Sequence, residues 1–191
     1  MQSCAMKKSV GEYYERLPYF RVCESYDGVL VTAPETAVLV AIQKDSLFLE
    51  HLNASDALGI GHAILELANE WCPGRPVAVH IENDHRPLFV HFMDGTGVGN
   101  ADWINKKKNV TRHFGQSSWR VRLEHIEWGV DFATETGLPP DDFRAEGGAV
   151  PLQVVGKGRV GTLVVSGLDG FEDHTLAVGG LQCWITQSKS A

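Results

Sequence analysis

The stretch Val77-Ala78-Val79-His80-Ile81-Glu82-Asn83-Asp84-His85-Arg86-Pro87-Leu88-Phe89-Val90-His91-Phe92-Met93 decides the fold. Val77 to Glu82 and Pro87 to Met93 are apolar-rich runs on either side of four turn-forming residues, the pattern of a β-hairpin. Pairing Glu82 with Pro87 and counting outward puts Val77, Val79 and Ile81 opposite Phe92, Val90 and Leu88 on one wholly apolar face. Ala78, His80 and Glu82 then meet His91, Phe89 and Pro87 on the other. Slipping this register by one residue would mix the two faces. The same register makes His80 and His91 diagonal neighbours, roughly 7 to 8 Å apart. Such a pair could ligate a metal or haem iron, but most histidines are simply hydrogen-bonded, and no metal site is assigned to them.

On the N-terminal side, Leu47, Leu49 and His51 alternate as a short strand, and Asn53 to Asp56 supplies capping oxygens for a helix. In that helix Ala57, Ile60, Gly61, Ile64, Leu67, Ala68 and Trp71 recur at three and four residues, and Pro73-Gly74 ends it. Residues 1 to 45 read as an extension with short helices at Gly11 to Phe20 and Pro34 to Lys44. Its aromatic Tyr13, Tyr14, Tyr19 and Phe20 call for packing on the domain or on a neighbouring subunit.

On the C-terminal side, a loop from Gly95 to Gly99 precedes a helix beginning at Asp102 and ending near Gly115. Trp103, Lys107, Val110 and Phe114 share one stripe of it, with Lys106, Lys108 and Arg112 alongside. Trp119 to Thr136 is of mixed character. A second strand pair, Ala149 to Val155 and Arg159 to Ser166, turns at Gly156-Lys157-Gly158, and a helix from about Phe171 to Thr186 closes the chain. Short turns within both strand pairs predict an α/β (α+β) domain over residues 46 to 191: an antiparallel sheet of about five strands with helices packed on it.

Composition narrows the function. An apolar fraction of 43% with 21% charged residues is that of a folded globular chain. A formal charge of −7 opposes a nucleic-acid partner. The apolar runs are too short for a membrane span, and Met1 to Val10 has no apolar segment of the signal-peptide kind. Cys4, Cys23, Cys72 and Cys183 lack C-x-x-C spacing and read as reduced thiols, so the location expected is cytoplasmic.

Three blocks carry a resemblance to a known family. Trp103-Ile104-Asn105-Lys106-Lys107-Lys108 followed by Phe114-Gly115-Gln116-Ser117-Ser118 resembles the W-I-x-R-K to F-x-x-S-S signature of the haem-degrading-domain family, the group of GlcG, HbpS and the PduO C-terminal domain. Gly147-Gly148-Ala149-Val150-Pro151 and Val165-Ser166-Gly167-Leu168 with Asp173-His174 are similar to its G-G-x-x-P and closing V-S-G-L to D-H segments. The closest likeness is to a cytosolic branch of unsettled role. Asn105 departs from the family's arginine, and Val150 from its aromatic residue. The resemblance implies a profilin-like fold, homo-oligomeric assembly, and haem or another tetrapyrrole as ligand.

The ligand-binding residues expected on this basis are Trp103, Lys106, Lys107, Arg112, Phe114, Ser117, Gly147, Gly148, Asp173 and His174. Each has a plainer reading: a solvated cationic helix face, core or interface aromatics, a tight glycine turn, and helix capping by Asp173. Asp173-His174 with Ser117 or Ser166 does not read as a catalytic triad, since adjacent helical residues point about 100° apart. Two functions follow: an oligomeric small-ligand-binding protein, or a non-enzymatic adaptor that binds other proteins.

Overall fold

The computed structural model describes residues 47–189. The helices expected within residues 1–45, and the packing of that extension, lie outside them. The first strand is shorter than its alternation suggests: β1 is Phe48–Leu49, and His51 falls beyond it. Helix α1, Ala54–Trp71, begins where the capping residues place it. Asn53 Oδ1 accepts from the Ser55 and Asp56 N–H groups, while Asp56 Oδ2 accepts from the Asn53 N–H, a reciprocal box that satisfies the first turn. The hairpin is formed by β2, Ala78–Asn83, and β3, Pro87–Phe92.

Helix α2 spans Val98–Phe114, four residues more at its start than Asp102 suggests. Asn100 explains the difference: its Oδ1 accepts the Gly97 N–H and draws the glycine loop into a first turn. Gly115 ends the helix with φ +68. The segment of mixed character forms two helices, α3 over Ser118–Trp128 and α4 over Phe132–Thr136, capped by Ser117 and Asp131. β4, Ala149–Val154, and β5, Gly158–Ser166, form the second hairpin, and α5, Gly170–Ser188, completes the chain.

The five strands make one sheet in the order β1-β4-β5-β2-β3. It is antiparallel throughout except at β1, which runs parallel to β4. Helices α1 and α5 cover one face and bury the main core, including Ile60, Ile64, Val79, Ile81, Leu152, Leu163, Val165 and Leu181. On the opposite face Ile104 of α2 packs against Ala78, Ala149 and Val164. This is the helix-on-sheet arrangement expected, with helices on both faces.

The first hairpin corrects its own register. Glu82 pairs with Pro87 as counted, but Ile81 then pairs with Phe89, leaving Leu88 as an extra residue on β3. The bulge lets the consecutive Leu88 and Phe89 both pack on the main core, which strict alternation forbids. Every pair beyond it is shifted: His80 faces Val90 and His91 faces Val79. His80 and His91 therefore lie on opposite faces of the sheet and are not the diagonal neighbours that the counted register makes them. No group of three potential metal-ligating side chains occurs among the described residues.

Helices α1 and α5 approach closely at Gly180. A Cβ there would stand 2.2 Å from Ile64 Cγ1 and 3.1 Å from the Ile64 backbone. Gly180→Ala should lower stability by roughly 1–3 kcal/mol, the usual penalty of overpacking a filled core, as measured by urea unfolding.

Candidate functional site

The cations of α2 leave the helix in three directions. Lys106 Nζ reaches back one turn to Asp102 Oδ2 at 2.6 Å, on the exposed side, and lies 6.0 Å from the centre of the Trp103 ring. Lys108 and Arg112 turn toward the buried Glu82 of β2, with Arg112 Nη2 2.5 Å from Oε1 and Lys108 Nζ 3.5 Å from Oε2. His80 Nε2 lies 2.9 Å from the same Oε2. Burial opposes ionisation of Glu82, but the His80 hydrogen bond and the two cationic charges together hold its carboxyl below the usual range. These three cations thus already face a carboxylate on the protein.

Lys107 points inward. It is 3% exposed, and its Nζ donates to Asp173 Oδ2 at 2.7 Å and to the Val165 carbonyl at 3.3 Å. Asp173, in the first turn of α5, is fully buried, and its Oδ1 accepts the Leu168 N–H at 3.0 Å. The expected role of Asp173 as a helix cap is corrected here. The N-cap is Asp169, four residues earlier, whose carbonyl accepts the Asp173 N–H, which leaves the Asp173 carboxylate free to bind Lys107. Burial pushes the Asp173 carboxyl up to about 6 against the opposing pull of Lys107.

Gly148 makes room for this pair. Its φ is +120, and a Cβ would stand 2.3 Å from the Val165 carbonyl oxygen, 3.0 Å from Asp173 Cβ and 3.1 Å from Lys107 Nζ. Gly147 is equally confined, since a Cβ would fall 1.8 Å from the Gly170 carbonyl oxygen. The paired glycines are a tight turn that admits the ion pair and the start of α5, in agreement with the plainer of their two readings.

Above the pair opens a cleft of about 430 Å³, within the size range of small-molecule sites. Asn100, Trp103 and Lys107 form one wall, on a single face of α2, and residues 166–170 with Asp173 form the other. Glu146 joins the lining from the segment before β4 and is ion-paired to Arg122 behind it. Burial pushes the Glu146 carboxyl up, offset in part by Arg122, Lys107 and Arg144. Trp103 is 40% exposed at the rim.

The expected residues therefore divide. Trp103, Lys107 and Asp173 line the cleft, and Gly147 and Gly148 shape its floor. Lys106 and Arg112 serve other carboxylates, Phe114 packs on Phe132 and His113, and Ser117 Oγ caps α3 by accepting the Arg120 N–H. His174 is buried against Trp119, with ring centres 6.3 Å apart, and burial together with the Lys107 charge lowers its pKa to about 3. Asn100, Glu146 and Asp169 were not anticipated. Asn100 was legible in principle, because positions 100, 103 and 107 share a face once the helix starts at Val98. Glu146 carried no local signal.

A family model described as haem degrading protein HbpS-like matches residues 52–182. The chain belongs to that family. It is 37% identical over 158 residues to a UPF0303 protein of Streptomyces avermitilis, an alignment covering 83% of this chain and 96% of that one. The crystal structure of the Ybr137w protein shares the fold with a TM-score of 0.73 at 27% identity, over 80% of this chain and 88% of that one. A structure described as a PduOC:Heme complex shares it with a TM-score of 0.58 at 19% identity, over 69% of this chain and 94% of that one.

Two predictions test this site. Lys107→Met, which strands a buried carboxylate, should cost roughly 3–5 kcal/mol in urea unfolding, and adding Asp173→Leu should recover more than half of it. The second concerns pH. Because the folded pKa of His174 lies below its unfolded value, the unfolded chain binds the extra proton between about pH 3 and 6.5. Its contribution to stability is present above about pH 6.5 and is lost on acidification. The Asp173 shift has the opposite sign: the folded state holds the extra proton between about pH 4 and 6, so that contribution declines as pH rises through this window. The two offset each other there in the wild type. The stability of wild type relative to His174→Gln should therefore grow from pH 4 to 6.5, by up to about 1.4 kcal/mol per pH unit, in denaturation curves at each pH.

Proposed function

We propose that this protein is a cytoplasmic small-ligand-binding member of the HbpS-like family, and that its cleft takes a flat, ring-containing molecule of the tetrapyrrole class. The observation that carries this reading is the placement of a half-exposed Trp103 ring and a buried Lys107 ammonium on one wall of the cleft. An aromatic face with a single buried donor suits a planar ligand with a polar edge. Family membership and the haem named in the description of the PduOC structure support the ligand class.

Haem iron itself fits this cleft poorly. Axial ligands to haem are typically His, Cys, Met or Tyr. Among the described residues the lining consists of Asn100, Trp103, Lys107, Glu146, Ser166, Gly167, Leu168, Asp169, Gly170 and Asp173, which includes none of these, and Lys107 is engaged by Asp173. The ring system rather than the metal then supplies the affinity. Metal-free protoporphyrin IX should bind the full-length protein at micromolar concentration, with haemin within about threefold of it, read from the visible absorption bands. Trp103→Ala should weaken both about tenfold, equivalent to roughly 1.4 kcal/mol, while Lys106→Ala changes neither by more than about twofold. Bands that remain those of the free pigments would overturn the proposal.

A second reading, an assembly protein presenting its surface to other copies or other proteins, is favoured by the sheet edge. Among the described residues β3 is the outermost strand beside β2, with Val90 and Phe92 respectively 50% and 40% exposed on it. An apolar edge strand is a ready pairing surface. If the protein self-associates through it, Val90→Lys with Phe92→Glu should shift the mass measured by analytical ultracentrifugation to that of a monomer. An unchanged mass would exclude this edge as the contact. No helix among the described residues is long and apolar enough to cross a membrane.

A further inference from the structure

The cleft discriminates by what its polar atoms still have to offer. The Lys107 ammonium has three N–H donors, and two have protein acceptors, Asp173 Oδ2 and the Val165 carbonyl. Among the described residues the third has none, and Lys107 lines the cleft. Asp173 is committed on both oxygens, to Lys107 and to the Leu168 N–H. Among the described residues Glu146 is half-committed: Arg122 binds Oε1, while Oε2 stands 2.9 Å from where a Cβ on the cleft residue Gly170 would be. Lys107 and Glu146 are close enough for the charge of one to act on the ionisation of the other.

The charges around this opening are unequal. Among the described residues Lys107 is the one cation in the lining, and Glu146, Asp169 and Asp173 are its three carboxylates. An entering carboxylate or phosphate would bring further negative charge to a lysine already neutralised at 2.7 Å. A neutral group meets no such repulsion and still fills both open positions. We infer that the cleft recognises a neutral edge with an acceptor beside a donor, as in an amide, lactam or imide. Its carbonyl oxygen takes the third N–H of Lys107, and its N–H donates to Glu146 Oε2. The inference rests on the cleft being the ligand site proposed above. Among tetrapyrroles it ranks those that present a ring lactam above those, protoporphyrin included, that carry only carboxylates at the periphery and are held by the ring system alone.

The test uses two probes that share a ring and differ only in this edge, indole-3-acetamide and indole-3-acetate, titrated at pH 7.5 into the full-length protein by calorimetry. The amide should bind at least fivefold more tightly. In Glu146→Gln, which keeps the shape and removes the charge, the ratio should fall to within about twofold. Equal affinities in the wild type, tighter binding of the acetate, no binding of either probe, or a ratio unchanged in Glu146→Gln each overturn the inference. Protoporphyrin that binds while the two indoles bind equally sinks the edge preference alone. If protoporphyrin and both indoles fail to bind, the ligand-site reading falls with it.

Discussion

The ion pair between Lys107 and Asp173 is the contact on which the arrangement of this molecule turns. It joins the middle of α2 to the first turn of α5, and its third and fourth participants, the Val165 carbonyl and the Leu168 N–H, belong to the end of β5 and the loop that follows. A charge this deep is tolerable only with its partner in place, since desolvating either ion alone costs several kcal/mol. The pair therefore specifies more than it stabilises. It requires α2, β5 and α5 to meet at one point, and it requires a residue without a side chain at Gly148 to let them do so.

The cleft is a by-product of the same constraint. Lys107 is drawn down to Asp173, so Trp103, one turn earlier on the same face, stands above the cleft, and the loop at 166–170 forms the facing wall. The floor of the site is an ion pair, and its walls are one face of α2 and the loop that leads from β5 into α5. Membership of the HbpS-like family rests on the sequence, and the cleft rests on packing.

Much of the fold was legible because it is locally encoded. The capping box at Asn53, the periodicity of α1, the turn at Gly156-Lys157-Gly158 and the stop at Gly115 each depend on residues within a few positions of one another. Where the reading failed, tertiary packing had overruled a local pattern. The bulge at Leu88 answers to the core beneath it, and strict alternation on β3 cannot reveal it. Helix α2 begins at Val98 because the Asn100 side chain caps Gly97, at a place where three glycines suggested a loop. The site suffered in the same way: four cations on one helix looked like a single patch, yet they serve three different carboxylates.

The class of fold, the order of most elements and the family were readable along the chain, because hydrophobic period, turn residues and motif spacing are properties of short stretches. The sequence also singled out Trp103, Lys107, Gly147, Gly148 and Asp173 as residues of interest. Only the tertiary structure decided that Lys107 and Asp173, 66 residues apart, are each other's partner, and that Glu146 stands beside them. The physical reason is that the partner of a buried charge is set by which groups remain within reach once water is excluded, and that depends on how helices and strands stack. Linear spacing carries no record of it.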